Sequence, residues 1–260
     1  MTDFIPLDSA KIQANLALAP EVDFAIFDTL DSTNRYIKSH AMGHARYVCC
    51  LAESQTHGRG RRGRHWHSAH GQNIYFSLKL PLEGKLSAFS GLSLVASLAV
   101  LQVLSAHTDA RLQLKWPNDV LVENKKISGV IIEATKETTG LQYLIIGIGI
   151  NINETFQGTN KPWHSLKDLT HKAFDRNRIV AELISTLHTY LEVFKAQGFE
   201  AFQPTWNELD CLKNKTIEVI QPNETIKGTA LGTNHLGYLR LKDKKGDIHT
   251  LSVGDTTIKK

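Results

Sequence analysis

The spacing of apolar residues changes rhythm several times along the chain, and each change marks a predicted element. Ser9 to Leu18 has helical spacing and is closed by Ala19-Pro20. Phe24 to Phe27 is a short apolar run followed by polar residues from Asp28 to Asn34, which predicts a strand and then a turn. Arg46 to Ala52 is a second strand, and Asn73 to Leu80 returns to strand after the little-hydrophobic stretch Glu53 to Gln72. Ala88 to Ala106 carries apolar residues three and four apart, with Ser87 placed to cap a helix. Leu112, Leu114 and Trp116 alternate with polar neighbours. Asp119 to Glu123 and Lys126 to Ala134 flank Asn124-Lys125, which predicts a hairpin. Leu141 to Ile150 is apolar enough to be covered on both faces. Leu183, Leu187, Leu191 and Phe194 mark a long helix from about Asp175 to Gly198.

After Leu212 the runs become short: Thr216 to Ile220, Thr225 to Leu231, Gly237 to Leu241 and Asp247 to Val253, each bounded by turn residues. This spacing predicts a small β-barrel. The expected organisation is a short extension over 1–22, an α+β catalytic domain with a mostly antiparallel mixed sheet flanked by helices over 23–212, and a small all-β domain over 213–260.

Composition narrows the classes of function. The 260 residues are 42% hydrophobic and 22% charged, with a formal net charge of +4, which is too weak an excess for a protein that coats duplex nucleic acid. Cys49, Cys50 and Cys211 make an odd count with an adjacent pair, which favours a reducing compartment. Cys49 and Cys50 sit in an apolar run and read as buried strand thiols. The N-terminus lacks a signal pattern, and Leu92 to Leu104 is too short and too interrupted to span a bilayer, so a cytoplasmic protein without membrane partners is expected.

Candidate chemistry begins in the polar stretch. Gly58-Arg-Gly-Arg-Arg-Gly63 has the spacing of a dinucleotide fingerprint, but that motif must open a helix, and here the chain leads to a strand. The arginines carry more information. Arg59, Arg61, Arg62 and Arg64 repel one another unless an anion lies among them, and guanidinium groups match carboxylate and phosphate oxygens. Taken alone, the cluster is equally a solvated basic loop.

Further groups lie downstream and upstream. Lys115-Trp-Pro-Asn-Asp119 precedes Lys126-Ile-Ser-Gly129. Asn118 and Asp119 offer oxygens to hydrated Mg²⁺, and a hairpin would return Lys126 beside Asp119. A lysine with Mg²⁺ is a common way to neutralise a transferring phosphoryl group. Singly, Asp119 is also an ordinary turn carboxylate and Lys126 a solvated lysine. Asp31-Ser-Thr-Asn34 reads alone as an Asx or Ser/Thr turn, and Gly147-Ile-Gly-Ile-Asn151 alone as tight packing.

In their order along the chain and at their spacings, the four groups together resemble the biotin–protein ligases, and the resemblance extends over nearly the whole chain. It implies a class II synthetase-like catalytic domain of the biotin–lipoate ligase kind with an SH3-like C-terminal β-barrel. It also implies biotin and ATP as substrates, Mg²⁺, and biotinyl-AMP as the intermediate. The acceptor would be a lysine of the biotin carboxyl carrier domain of acetyl-CoA carboxylase. By the same resemblance, Ser32, Thr33, Asn34 and Gln55 bind the biotin head group, with Arg59, Gly60, Arg61, Trp66, Lys126 and Gly129 completing that site. Arg59, Arg61, Arg64, Lys115, Asn118, Asn151 and Trp163 would contact ATP, and Asp119 the Mg²⁺. Lys126, Arg61 and Asp119 would be the catalytic set.

Relatives often carry an N-terminal winged helix-turn-helix, and only about twenty residues precede Phe24 here, so DNA-bound repression is not expected. Lys259 falls where the family often has an arginine near the nucleotide, and a lysine cannot reproduce its bidentate geometry. The resemblance leaves a homodimer open. Two rivals remain: a lipoate–protein ligase, which shares fold and adenylate chemistry, and a non-enzymatic nucleic-acid binder using the arginines on phosphate.

Overall fold

The computed structural model describes residues 4–17, 21–39, 45–82, 86–137, 140–155, 163–221, 224–252 and 254–258. Seven strands form one sheet: β1 (Val22–Leu30), β2 (Tyr47–Gln55), β3 (Ile74–Pro81), β4 (Leu112–Lys115), β5 (Asp119–Val122), β6 (Lys125–Lys136) and β7 (Gln142–Ile150). Their order is β1-β2-β3-β7-β6-β5-β4. β1 and β2 run parallel, and every other adjacent pair is antiparallel. The expected mixed, mostly antiparallel sheet is therefore present.

Both faces are covered, which explains the continuous apolar runs. Tyr47, Cys49 and Leu51 of β2 join the main core, while Val48 and Cys50, one residue out of phase, pack with Ile37 and Ile145 on the other side. The main core is closed by α3 (Leu92–Ser105) and α5 (Arg176–Gln197), which pack on each other. The opposite face takes α2 (Thr33–Ser39). The three cysteines are free and buried, and burial pushes the Cys50 thiol up to about 12, so these thiols are packing groups.

Several local expectations shift. Residues 28–34 are not one turn: β1 continues to Leu30, and Ser32 precedes the first turn of α2, its carbonyl accepting from Tyr36 N–H at 2.9 Å. Short polar side chains favour helix starts as much as turns, so the sequence alone did not separate the two. α3 starts at Leu92 rather than after Ser87, because Leu86–Phe89 is a separate 3-10 turn and Gly91, at φ 83°, redirects the chain. β4 ends at Lys115, so Trp116 is buried but outside the strand. The hairpin turn is Glu123-Asn124, at φ 49° and 62°, one residue earlier than expected.

Besides α2, three further described helices are short: α1 (Ser9–Ala14), capped by Asp8; α4 (Leu166–Thr170), capped by Ser165; and α6 (Gln203–Leu209). Neither α4 nor α6 was predicted; five and seven residues hold too little periodicity to register. The C-terminal strands β8 (Thr216–Ile220), β9 (Thr225–Thr233), β10 (Leu239–Lys242), β11 (Ile248–Leu251) and β12 (Asp255–Ile258) form a second, antiparallel sheet in the order β11-β10-β9-β8-β12. Hydrogen bonds join it to the segment after β4: Trp116 Nε1 donates to the Gly237 carbonyl (3.1 Å) and Thr256 Oγ1 to the Trp116 carbonyl (3.1 Å). Lys259 lies outside the described residues.

Candidate active site

Two cavities meet over the middle of the large sheet. The narrow one, about 50 Å³, is walled by β3, β6, β7 and the start of α2. The larger, about 420 Å³, extends towards the second sheet and includes Ile220 and Thr256. Gly60, Arg61, Trp66, Asn118 and Lys126 line both.

Every residue expected at the biotin head group or chain lies on the narrow cavity: Ser32, Thr33, Asn34 and Gln55, then Arg59, Gly60, Arg61 and Trp66, then Lys126 and Gly129. The helix start of α2 sets the first group. Thr33 N–H and Oγ1 donate to Gln55 Oε1 at 2.9 and 3.2 Å, and Asn34 Nδ2 donates to Glu133 Oε2 at 2.8 Å. Ser77, fully buried on β3, has its hydroxyl 2.8 Å from Thr33 Oγ1 and 2.5 Å from Asn34 Oδ1. Thr33, Asn34 and Ser77 are buried and hydrogen-bonded, as a head-group site requires, while their partners Gln55 and Glu133 are half-buried.

Glycines on β6 and β7 make the room. A Cβ at Gly147 would overlap the Asn34 carboxamide, and one at Gly149 would overlap the Trp66 indole. At Gly129 it would lie 2.7 Å from Lys126 Nζ. Trp66 Nε1 is buried in this arrangement and has no hydrogen-bond partner.

Lys126 stands on the wall that the two cavities share. Its Nζ is 2.6 Å from Asp119 Oδ1 and 5.2 Å from the centre of the Trp66 ring. The contact with Asp119 is an ion pair without hydrogen-bond alignment, since that oxygen makes no directed hydrogen bond. A register shift in the β5–β6 hairpin creates the pair: Asp119 faces Gly129, yet Leu121 faces Lys126. The extra residue turns Lys126 onto the same face as Leu121 and Asp119; without it, Lys126 would point to the other side.

The larger cavity gathers Arg61, Arg64, Lys115, Asn118, Asp119, Asn151 and Trp163. Arg59, expected at both ligands, lines only the narrower of these two cavities and an outer cleft. Arg61 donates to Asn118 Oδ1 at 3.2 Å and approaches the Gly254 carbonyl at 3.4 Å, while Arg62 donates to the Ile220 carbonyl at 3.1 Å. The arginine loop thereby spans from the large sheet to the small one. Asn118 is also clamped to β6, its Nδ2 donating to the Val130 carbonyl at 2.6 Å. Asn151 Nδ2 donates to the His164 carbonyl at 3.1 Å, and Trp163 pairs through its backbone with Lys126.

Among the described residues, no three His, Cys, Asp or Glu side chains gather as a metal cluster. Mg²⁺ needs no such cluster, because it retains waters and takes phosphate oxygens beside one or two carboxylates. Asp119 suits that chemistry; Asn118 Oδ1 is already turned to Arg61. Tyr75, Phe76, Ser77 and Glu133 near the narrow cavity, and His65, His67, Glu154 and Thr256 on the larger, join the site without having stood out in the sequence. Strand residues of this kind have no motif; their alternation identifies a face without showing that the face borders a cavity.

The Biotin/lipoate A/B protein ligase family matches residues 26–151. The Bifunctional ligase/repressor BirA of Escherichia coli is 33% identical over 223 residues, covering 84% of this chain and 68% of that protein. The Biotin--[acetyl-CoA-carboxylase] ligase of Mycobacterium tuberculosis is 35% identical over 162 residues, covering 60% and 59%. The structure of the biotin protein ligase from Aquifex aeolicus in complex with biotin and ATP superposes with a TM-score of 0.78 at 28% identity, covering 91% of this chain and 98% of that one. With its fold, its ordered motifs and these matches in agreement, the chain belongs to the biotin protein ligases, enzymes of the biotin/lipoate A/B protein ligase family.

Proposed function

We propose that the protein joins biotin to ATP, giving biotinyl-AMP and pyrophosphate, and then passes the biotinyl group to a lysine of a biotin carboxyl carrier domain of acetyl-CoA carboxylase. The observation that carries this reading is the position of Lys126 and Arg61 on the wall common to a small polar slot and a larger cationic cavity. A carboxylate held in the slot would meet the α-phosphate of a nucleotide held in the cavity at those two cations.

In the first step a carboxylate oxygen of biotin attacks the α-phosphorus and pyrophosphate leaves. Two anions must approach, and Lys126 and Arg61 lower that repulsion in a site partly removed from water. Asp119 holds Lys126 in place and would be the residue that binds Mg²⁺, which neutralises phosphate charge when bound. Arg64 and Lys115 would receive the phosphates, Asn151 and Trp163 the adenine. In the second step the carrier amine attacks the anhydride carbonyl and AMP leaves.

The slot is well below the roughly 300 Å³ at which ligand pockets begin. Trp66 closes it against Gly149, so entry of biotin requires the arm from Gly58 to Trp66 to move outward. The arm therefore serves as a lid over the slot.

The proposed division is a catalytic unit over 23–212 and a β unit over 213–260 that supplies Thr256 and Ile220 to the nucleotide cavity. Catalysis, not repression on DNA, is the role proposed for these residues; α1 packs on α5 and is not presented as a reading helix. Among the described residues no helix is long and apolar enough to cross a membrane. The free, buried thiols support a reducing, cytoplasmic setting.

Biotin-dependent exchange of labelled pyrophosphate into ATP tests the first step. Exchange with lipoate but not biotin would overturn the choice of acid, and absence of exchange with either would overturn adenylation. Transfer of label to a purified carrier domain tests the second step.

A further inference from the structure

Glu154 has no part in the chemistry above, yet it stands on the wall of the larger cavity, three residues beyond Asn151. Its side chain is only 16% exposed. Oε2 accepts from Asn73 Nδ2 at 2.6 Å, and Asn73 is itself fully buried, its Oδ1 accepting from Ile152 N–H at 2.9 Å. Oε1 lies 3.0 Å from Nε2 of His67, which also lines the cavity and follows Trp66 of the lid arm. The carboxylate is thus fixed between the start of β3, the exit of β7 and the lid arm.

Placement and charge together restrict what it meets. A carboxylate accepts about four hydrogen bonds, and the two described leave capacity on a cavity wall. The described carboxylates on that wall are Asp119, which pairs with Lys126, and Glu154. Beside a triphosphate, a carboxylate with no lysine or arginine partner among the described contacts would be repelled. Next to the nucleoside it would find donors. The cations Arg61, Arg64, Lys115 and Lys126 supply the phosphate side, so Glu154 belongs with Asn151 on the nucleoside side.

We propose that Glu154, oriented by Asn73 and His67, accepts a hydrogen bond from the nucleoside of ATP and so determines nucleotide specificity. The donor is a ribose hydroxyl or the 6-amino group of the base, both neutral donors suited to a carboxylate. This rests on the reading that the larger cavity takes ATP.

The test is biotin-dependent pyrophosphate exchange by wild type, Glu154→Gln and His67→Gln with ATP, 2′-deoxy-ATP, 3′-deoxy-ATP and inosine triphosphate. Glu154→Gln is expected to raise KM for ATP roughly tenfold, the scale of a hydrogen bond to a charged group, with kcat within about twofold. The analogue lacking the partnered donor should be penalised in wild type and no further in the variant. A deoxy analogue showing this assigns the ribose; inosine triphosphate showing it assigns the base.

His67→Gln, at a side chain 67% exposed, keeps the fold in any case and should raise KM severalfold. Wild-type KM and wild-type preference over all three analogues in both variants would overturn the assignment, as would a loss confined to kcat. Exchange by wild type with ATP itself checks the underlying reading separately; its absence would overturn that reading and this assignment with it.

Discussion

Lys126 Nζ and Asp119 Oδ1 lie 2.6 Å apart on neighbouring strands because a register shift between Val120 and Leu121 brings both side chains to one face. The pair leaves the lysine aimed and placed where the two cavities join.

Replacing Lys126 by Ala should lower the kcat of pyrophosphate exchange roughly a hundred- to thousandfold, the usual cost of losing one charge stabiliser at a reacting phosphate. The far-ultraviolet spectrum and thermal midpoint should remain close to wild type, since the side chain is 35% exposed and not part of the core. Wild-type pyrophosphate release by this variant would remove Lys126 from the mechanism.

Gly147→Ala should act on biotin and spare ATP. Its Cβ would displace the Asn34 carboxamide from its bonds with Ser77 and Glu133. One disrupted buried hydrogen bond corresponds to roughly a tenfold rise in KM for biotin. Steady-state kinetics with each substrate varied in turn would show it, and an equal rise for ATP would contradict the placement.

Thr256→Val keeps the shape of a buried residue and removes its donor to the Trp116 carbonyl. Stability should fall by about 1 kcal/mol, read from urea denaturation. Because Thr256 and Trp116 both line the larger cavity, proposed for ATP, KM for ATP should rise with it. Loss of stability at constant KM would confine the second sheet to a structural role.

Asp210 should make stability depend on pH. Burial pushes its carboxyl up to about 6 from an ordinary value near 3.8, against the opposing Leu212 N–H bond and nearby lysines. Between those values the folded protein holds a proton that the unfolded chain has released, so stability falls as pH rises from about 4 to about 6 and then levels. The loss associated with this group is at most roughly 3 kcal/mol. Asp210→Asn keeps an oxygen for Leu212 N–H and removes the titration. Its stabilisation relative to wild type should be larger at pH 7 than at pH 4, and the reverse order in urea melts would refute the account.

Trypsin should report the lid. Cleavage after Arg59, Arg61, Arg62 and Arg64 is expected to slow severalfold when biotin and ATP are both present, because occupied cavities hold the arm that Trp66 closes. Equal cleavage with and without the two substrates would show that the arm does not respond to them.

Much of this arrangement was legible in the residues themselves. The long helix α5 could be read because its apolar stripe, Leu183, Leu187, Leu191 and Phe194, repeats over about three turns, and β8 because turn residues bound a clean run. The Ser-Thr-Asn group, the arginine–glycine arm and the Lys-Trp-Pro-Asn-Asp run could be read as polar groups too specific in order for chance. The short helices α4 and α6 and the threonine-rich β12 could not, because local propensity there is too weak to stand against alternatives.

What the sequence determined by itself was the inventory: which cations, amides and glycines exist, in what order, and hence the family chemistry. Their meeting was decided in three dimensions. No local pattern announces the bulge that turns Lys126 towards Asp119, the Asn73 amide that fixes Glu154, or the reach of Arg61 to Gly254 across 193 residues. These depend on register and on contacts between distant segments, which arise only when the sheets pack; local spacing encodes a face, while the neighbour across it is set by the fold.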